Sequence, residues 1–153
     1  MAISGSLIAK RTLSGDHLRS GVLDRAVVIH LFASSLGFSI DSTGEKLVSG
    51  HFKVTQELVN NLSEAYLIAY LTDPSATDAE VQVQLYNVTD GTKEVTLTYS
   101  GEGGYKESAN IADVLKALVG KVVCGRVEVT TASATSGASQ AVKCIALLLI
   151  YKF

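Results

Sequence analysis

The sequence has no tryptophan, one proline, one methionine and two cysteines in 153 residues. Charge is scarce as well, at 18% against roughly 25% in an average soluble chain. Each shortage excludes something. With 13 basic and 15 acidic residues the net charge is −2, so no global field gathers nucleic acid. No apolar run reaches the roughly 18 residues that a membrane-crossing helix needs. Gly5, Lys10 and Arg11 break up what would be the apolar core of a signal peptide. Together these predict a soluble, unexported protein without a nucleic-acid or membrane partner. Cys124 and Cys144 lie far apart, without C-x-x-C spacing, and are expected as free thiols. A hairpin of 121–131 with 141–152 centred near Ser136 would set Cys144 opposite Glu128, not Cys124. The missing tryptophan argues mildly against a sugar-binding platform, which relies on exposed aromatic rings.

Apolar residues are plentiful, at 47%. A chain of this length buries a full core as one domain, and its low charge suits a surface partly covered by other protein. Its character changes near residue 30. Up to His30 stand Lys10, Arg11, Arg19 and Arg25 against Asp16 and Asp24, a balance of +2 that leaves −4 for the remainder. In this first part the apolar residues Ile3, Leu7, Ile8, Leu13, Leu18, Val22 and Leu23 recur every five or six positions. Ser4-Gly5, Ser14-Gly15-Asp16 and Ser20-Gly21 punctuate them. That spacing suits neither a helical stripe nor an alternating strand. Each unit is too small to bury its apolar residue alone; three such arms wrapped around a common axis, or one laid along a neighbouring subunit, would bury it. The predicted organisation is an extended assembly arm over 1–30 and a β-rich body over 31–153.

The arm resembles the short I-x-G and G-D-x-L segments of tailed-phage structural proteins, which occur in tail and head appendages. Ile3, Gly5, Ile8, Thr12, Leu13, Gly15, Asp16, Leu18 and Gly21 carry the resemblance, over about a fifth of the chain. Arg11 stands where glycine is usual, and leucine twice replaces isoleucine. The resemblance implies a homotrimeric virion protein, foremost a capsid decoration protein that stabilises the assembled shell. Its partner would be the major capsid protein of the same virion, and its location the virion, assembled in the host cytoplasm. A tail-tip or fibre receptor-binding head is the near alternative; a cellular β-sandwich ligand-binding module is the distant one.

The body reads mainly as strands. Residues 26–33 are β-branched and apolar, and 46–55 place Val48, Phe52 and Val54 on one face. Residues 65–71 and 142–151 are apolar on both faces, which predicts central strands. The alternating runs 80–86 and 94–100 flank Asp90-Gly91, a strong hairpin signal. Ile111, Val114, Leu115 and Leu118 share one face of a short helix, with Ser108 or Asn110 to cap it and Gly120 to end it. Strand 121–131 puts Val123, Val127 and Val129 on one face and Cys124, Arg126, Glu128 and Thr130 on a wetter one. The expected fold is mainly β: an antiparallel sandwich or barrel with one short helix and an extended amino-terminal arm.

Catalytic signals are weak. His17, His30 and His51 show no metal-ligand spacing, and the G-x-S-x-G elbow does not occur. Asp73, Asp78, Asp90 and Asp113 fall where turns or a helix start explain them. The glycine-rich run 101–106 lacks the G-K-[ST] step of a phosphate loop, since Tyr105 precedes Lys106 and Glu107 follows it, so a flexible strand-to-helix loop is expected. The reading is therefore a non-enzyme with no catalytic residue, metal or cofactor. Tyr66, Tyr70, Tyr86, Tyr99 and Tyr151 are expected to pack in the core or at a subunit interface. In the small, polar loop 131–140, Thr131, Ser133, Thr135, Ser136 and Ser139 are candidate contact residues.

Overall fold

The computed structural model describes residues 24–153. In chain order these form β1 (Asp24–Phe32), β2 (Leu36–Ser39), β3 (Gly44–Lys53), α1 (Gln56–Val59), β4 (Leu62–Leu71), β5 (Glu80–Asn87), β6 (Thr92–Ser100), β7 (Gly104–Glu107), α2 (Ala112–Ala117), β8 (Val122–Thr131) and β9 (Ser139–Lys152). Two antiparallel sheets pack as a sandwich. The β9 sheet runs β1-β9-β4-β7, with β2 also paired to β9; the β8 sheet runs β3-β8-β5-β6.

Alternation builds the core. Ala65, Leu67, Leu71, Ile145, Leu147 and Leu149 from one sheet meet Val81, Val83, Leu85, Val123, Val127 and Val129 from the other, all fully or almost fully buried. Each large aliphatic side chain so buried contributes about 1.5–3 kcal/mol. The strands β5 and β6 form the expected hairpin. Gly91 takes a φ of +70°, and the Asn87 side chain accepts from the Asp90 amide at 3.0 Å and donates to its carboxylate at 3.0 Å. The side chain thus closes the turn.

Several expectations are corrected. The segments 121–131 and 141–152 do not pair: β8 lies between β3 and β5, while β9 lies among β1, β2 and β4. Apolar on both faces, β9 forms the centre of its own sheet, and the chain crosses over to reach it. Cys124 and Cys144 therefore sit on different sheets as free thiols. Among the described residues there are two short helices, not one. The unforeseen α1 starts where Thr55 Oγ1 accepts from the Leu58 amide at 3.2 Å, and four residues are too few to show a helical period. The N-cap of α2 is Ile111, without a side-chain cap bond, in place of the expected Ser108 or Asn110; Asn110 Oδ1 accepts from both the Ala112 and Ala65 amides at 3.0 Å and so ties the helix start to β4.

The glycine-rich run read as a loop ends in an edge strand, β7, on β4. Its glycines answer to close packing. A Cβ on Gly101 would stand 2.0 Å from the Thr77 carbonyl oxygen, and one on Gly103 would stand 2.3 Å from that of Thr72. At the other end of the chain β1 begins at Asp24, so residues 24–30, assigned above to the arm, run within the sheet. Ile3, Leu7, Ile8, Leu13, Asp16, Leu18, Val22 and Leu23 lie outside the described residues.

Candidate docking face

A sheet with one face on the core normally turns polar residues outward. The β8 sheet does so. Gln82, Gln84, Thr96, Thr98, Arg126 and Glu128 stand in register on its outer side. Lys93 Nζ reaches Glu128 Oε1 at 2.6 Å, Gln84 Nε2 donates to the same oxygen at 3.1 Å, and an Arg126 terminal nitrogen meets Glu128 Oε2 at 2.8 Å. The Lys93 bond, above all, holds the Glu128 carboxyl below its usual range. Cys124, expected on this wetter face, is fully buried. It pairs with Tyr86, whose ring lies 4.4 Å from the Arg126 guanidinium carbon, and long side chains cover a small neighbour. Burial pushes its thiol up.

The β9 sheet breaks the rule. One row across its outer face is Val28, Leu148 and Tyr66. The next is His30, Ala146, Ile68 and Glu107, and beside it Cys144, Tyr70 and Tyr105. Val28, Tyr70 and Tyr105 are 47, 47 and 58% exposed, and Tyr66, Ile68, Cys144, Leu148 and Ile150 are half-buried. Two carboxylates are set into this surface. The Tyr66 hydroxyl donates to Glu64 at 2.6 Å, and the Tyr105 hydroxyl to Glu107 at 3.0 Å. The Glu64 bond chiefly raises the Tyr66 phenol; burial, then Glu107, raises that of Tyr105. The face is thus largely apolar, with His30, Glu64 and Glu107 set among its apolar side chains. It brings together Tyr66 and Tyr70, two of the tyrosines read as core or interface. Tyr99 is instead buried at 1% exposure. Its hydroxyl donates to the Gly104 carbonyl at 2.9 Å.

The signal for this face was present in the sequence as two-sided apolar strands, which equally describe a strand buried on both sides. His30 lies on the apolar face and His51 on β3, on opposite sheets. Among the described residues no three His, Cys, Asp or Glu side chains gather as a metal site requires.

The loop after β8 is anchored. Ser133, proposed as a contact residue, is buried and donates to Asp78 Oδ1. The Ala134 amide donates to Asp78 Oδ2 at 2.9 Å, and the Gly137 amide to Asp41 at 2.8 Å. Thr131, Thr135, Ser136 and Ser139 are exposed. Asp78, held by the Ser133 hydroxyl and then the Ala134 amide, lies below its usual carboxylate range. Because its folded value is depressed, its contribution is present above the unfolded value and is lost as pH falls through the folded one. Asp78→Asn is expected to reduce the drop in Tm between pH 7 and pH 3 relative to the parent, by thermal melts at both. An unchanged drop would show that this anchor contributes nothing.

A cavity of about 460 Å³ opens at the end of the sandwich where β1 begins, lined in part by Arg25, Leu58, Asn61, Tyr151 and Phe153. Within its lining the Tyr151 hydroxyl donates to the Leu58 carbonyl at 2.7 Å.

No protein-family model and no curated protein matches the chain. Among solved structures it is similar to the VP2 subviral particle of infectious bursal disease virus, with TM-score 0.48 and 12% identity over 84% of this chain and 32% of that one. It is similar to a xylan-binding module, with TM-score 0.48 and 12% identity over 82% of this chain and 97% of the module. A third likeness is to a Bacillus endospore appendage protein, with TM-score 0.38 and 12% identity over 86% and 91%. The chain thus spans about a third of the VP2 chain. Fold and face together define an antiparallel β-sandwich with one polar and one apolar outer surface.

Proposed function

We propose that the protein is a non-enzymatic structural subunit of a virion: a homotrimer that decorates and stabilises the assembled shell. The observation that carries this reading is the apolar outer face of the β9 sheet, opposite a β8 sheet whose outer face is laced with polar contacts. One side is built for water and the other for protein. The virion context rests on the arm, where Ile3, Leu13, Gly15, Asp16 and Leu18 resemble the segments of tailed-phage appendages. A closed threefold assembly gives every arm and face a partner. Three modest contacts made at once raise the avidity for a repetitive shell without a strong single site. The partner would be the major capsid protein, with no cofactor.

Light scattering behind size exclusion tests the assembly. The full chain is expected to show three times the 16.1 kDa of one chain. A mass of one chain at every concentration would contradict the reading. Any truncation used alongside must stop at residue 23, because removing residues up to 30 takes most of β1 with it.

A further inference from the structure

We infer that the apolar face of each β9 sheet is covered by residues 3–23 of a neighbouring copy, laid across the strands. The inference rests on the reading of the protein as an assembly subunit and names what that assembly buries. Reach comes first. Residues 1–23 precede β1, and that many residues, fully extended, span up to about 75 Å. A domain of this size has a radius of gyration of only about 15 Å. The segment joins the sandwich at Asp24, which pairs with Lys152 in the last pair of the sheet. The chain therefore enters from beyond the sheet's end, and its length suffices to cross to another copy.

Chemistry agrees with reach. The segment's apolar residues recur at five- to six-residue steps, which fit neither a helical stripe nor an alternating strand. Five extended residues span about 16 Å, and four strands side by side about 14 Å. Val28 and Tyr105 lie three strands apart and four residues out of row, about 20 Å on the diagonal, so apolar residues five to six positions apart on an extended segment reach from near one to near the other. Adding the segment as a further strand beside β1 would instead need an alternating pattern, which it lacks. Charge also matches: Lys10, Arg11 and Arg19 outweigh Asp16 on the segment, while Glu64 and Glu107 stand within the face.

The test mixes two full-length variants. One carries Leu13→Asp and Leu18→Asp, which spoil the segment; the other carries Val28→Lys and Tyr105→Lys, which spoil the face. Each alone is expected to have the mass of one chain, and each should keep the parent's circular dichroism and a cooperative thermal transition, with Tm lowered only by the lost association. Mixed, they are expected to form pairs of two chains, because the intact segment of the second fits the intact face of the first. Cys144, on the face of the first variant, should then become protected from a thiol reagent by at least about tenfold. If the segment variant keeps the parent's full mass, the face is covered by another body surface and this inference fails while the assembly reading stands. If neither variant rescues the other although the parent is multimeric, the crosswise exchange between copies is wrong. A parent mass of one chain overturns the assembly reading itself.

Discussion

Placing lysine at Val28 and Tyr105 in the full chain is expected to weaken self-association by at least about a hundredfold while leaving the fold intact. Both side chains are about half exposed and sit on the two edge strands of the β9 sheet, Val28 on β1 and Tyr105 on β7. Edge positions accept lysine in natural sheets, and surface substitutions seldom change stability by more than about 0.5 kcal/mol. The loss at an interface is larger. Each large apolar side chain removed from a covered surface forfeits about 1.5–3 kcal/mol, and 1.4 kcal/mol is about tenfold in affinity. The lysines also repel a segment that already carries net positive charge. A concentration series by light scattering reads the effect, with circular dichroism as the control on folding, because Tm itself falls when association is lost. A variant as multimeric as the parent would show that this face is bare in the assembly.

Gly101→Ala is expected to be the most damaging single methyl group in the protein. Gly101 has a φ of +68°, and a Cβ there would lie 2.0 Å from the Thr77 carbonyl oxygen and 2.8 Å from its carbon. The obstacle is backbone, which no rotamer change removes. The Gly101 amide also donates to the Ala79 carbonyl at 3.0 Å, so the two segments cannot part without losing that bond. A loss of about 3–4 kcal/mol follows, which for a chain of this size lowers Tm by roughly 10 °C. Gly137→Ala is the matched control. Its φ is +78° but nothing lies within 4 Å of its Cβ, so it carries only the left-handed strain of about 1–2 kcal/mol. Equal losses for the two would show that the close crossing at Thr77 is wrong.

The parts of the fold that were legible in the sequence are those whose cause is local. Asp90-Gly91 between alternating runs defines the β5–β6 hairpin by turn chemistry alone. Residues 65–71 and 142–151 declare themselves central by being apolar on both faces. Where the cause is distant, the sequence is mute. β2 and β7 have four residues each and include Gly37 and Gly104; they are strands because β9 and β4 offer them an edge. The loop after β8 looks solvated because its anchors, Asp41, Ser75 and Asp78, come from elsewhere in the chain. The apolar face was legible only in part. Cys144, Ala146, Leu148 and Ile150 are as apolar as the inward row Ile145, Leu147 and Leu149, and a two-sided pattern does not say which row meets the core. Packing against the other sheet settles that: Ile145, Leu147 and Leu149 are fully buried, while Cys144, Leu148 and Ile150 are half-buried on the outer side.

Cys144 offers the most direct measurement of whether that second row is covered. It pairs with Tyr70, which pairs in turn with Tyr105, within the apolar face, and the other thiol, Cys124, is fully buried on the opposite sheet. The rate at which a thiol reagent labels Cys144 in the native full chain, set against the rate in the Val28→Lys, Tyr105→Lys variant, therefore reports on this surface alone. The account predicts slow labelling in the parent and labelling at least about tenfold faster in the variant, with Cys124 slow in both. Equal, fast labelling of Cys144 in parent and variant would contradict it, because the face would then be open to water in both.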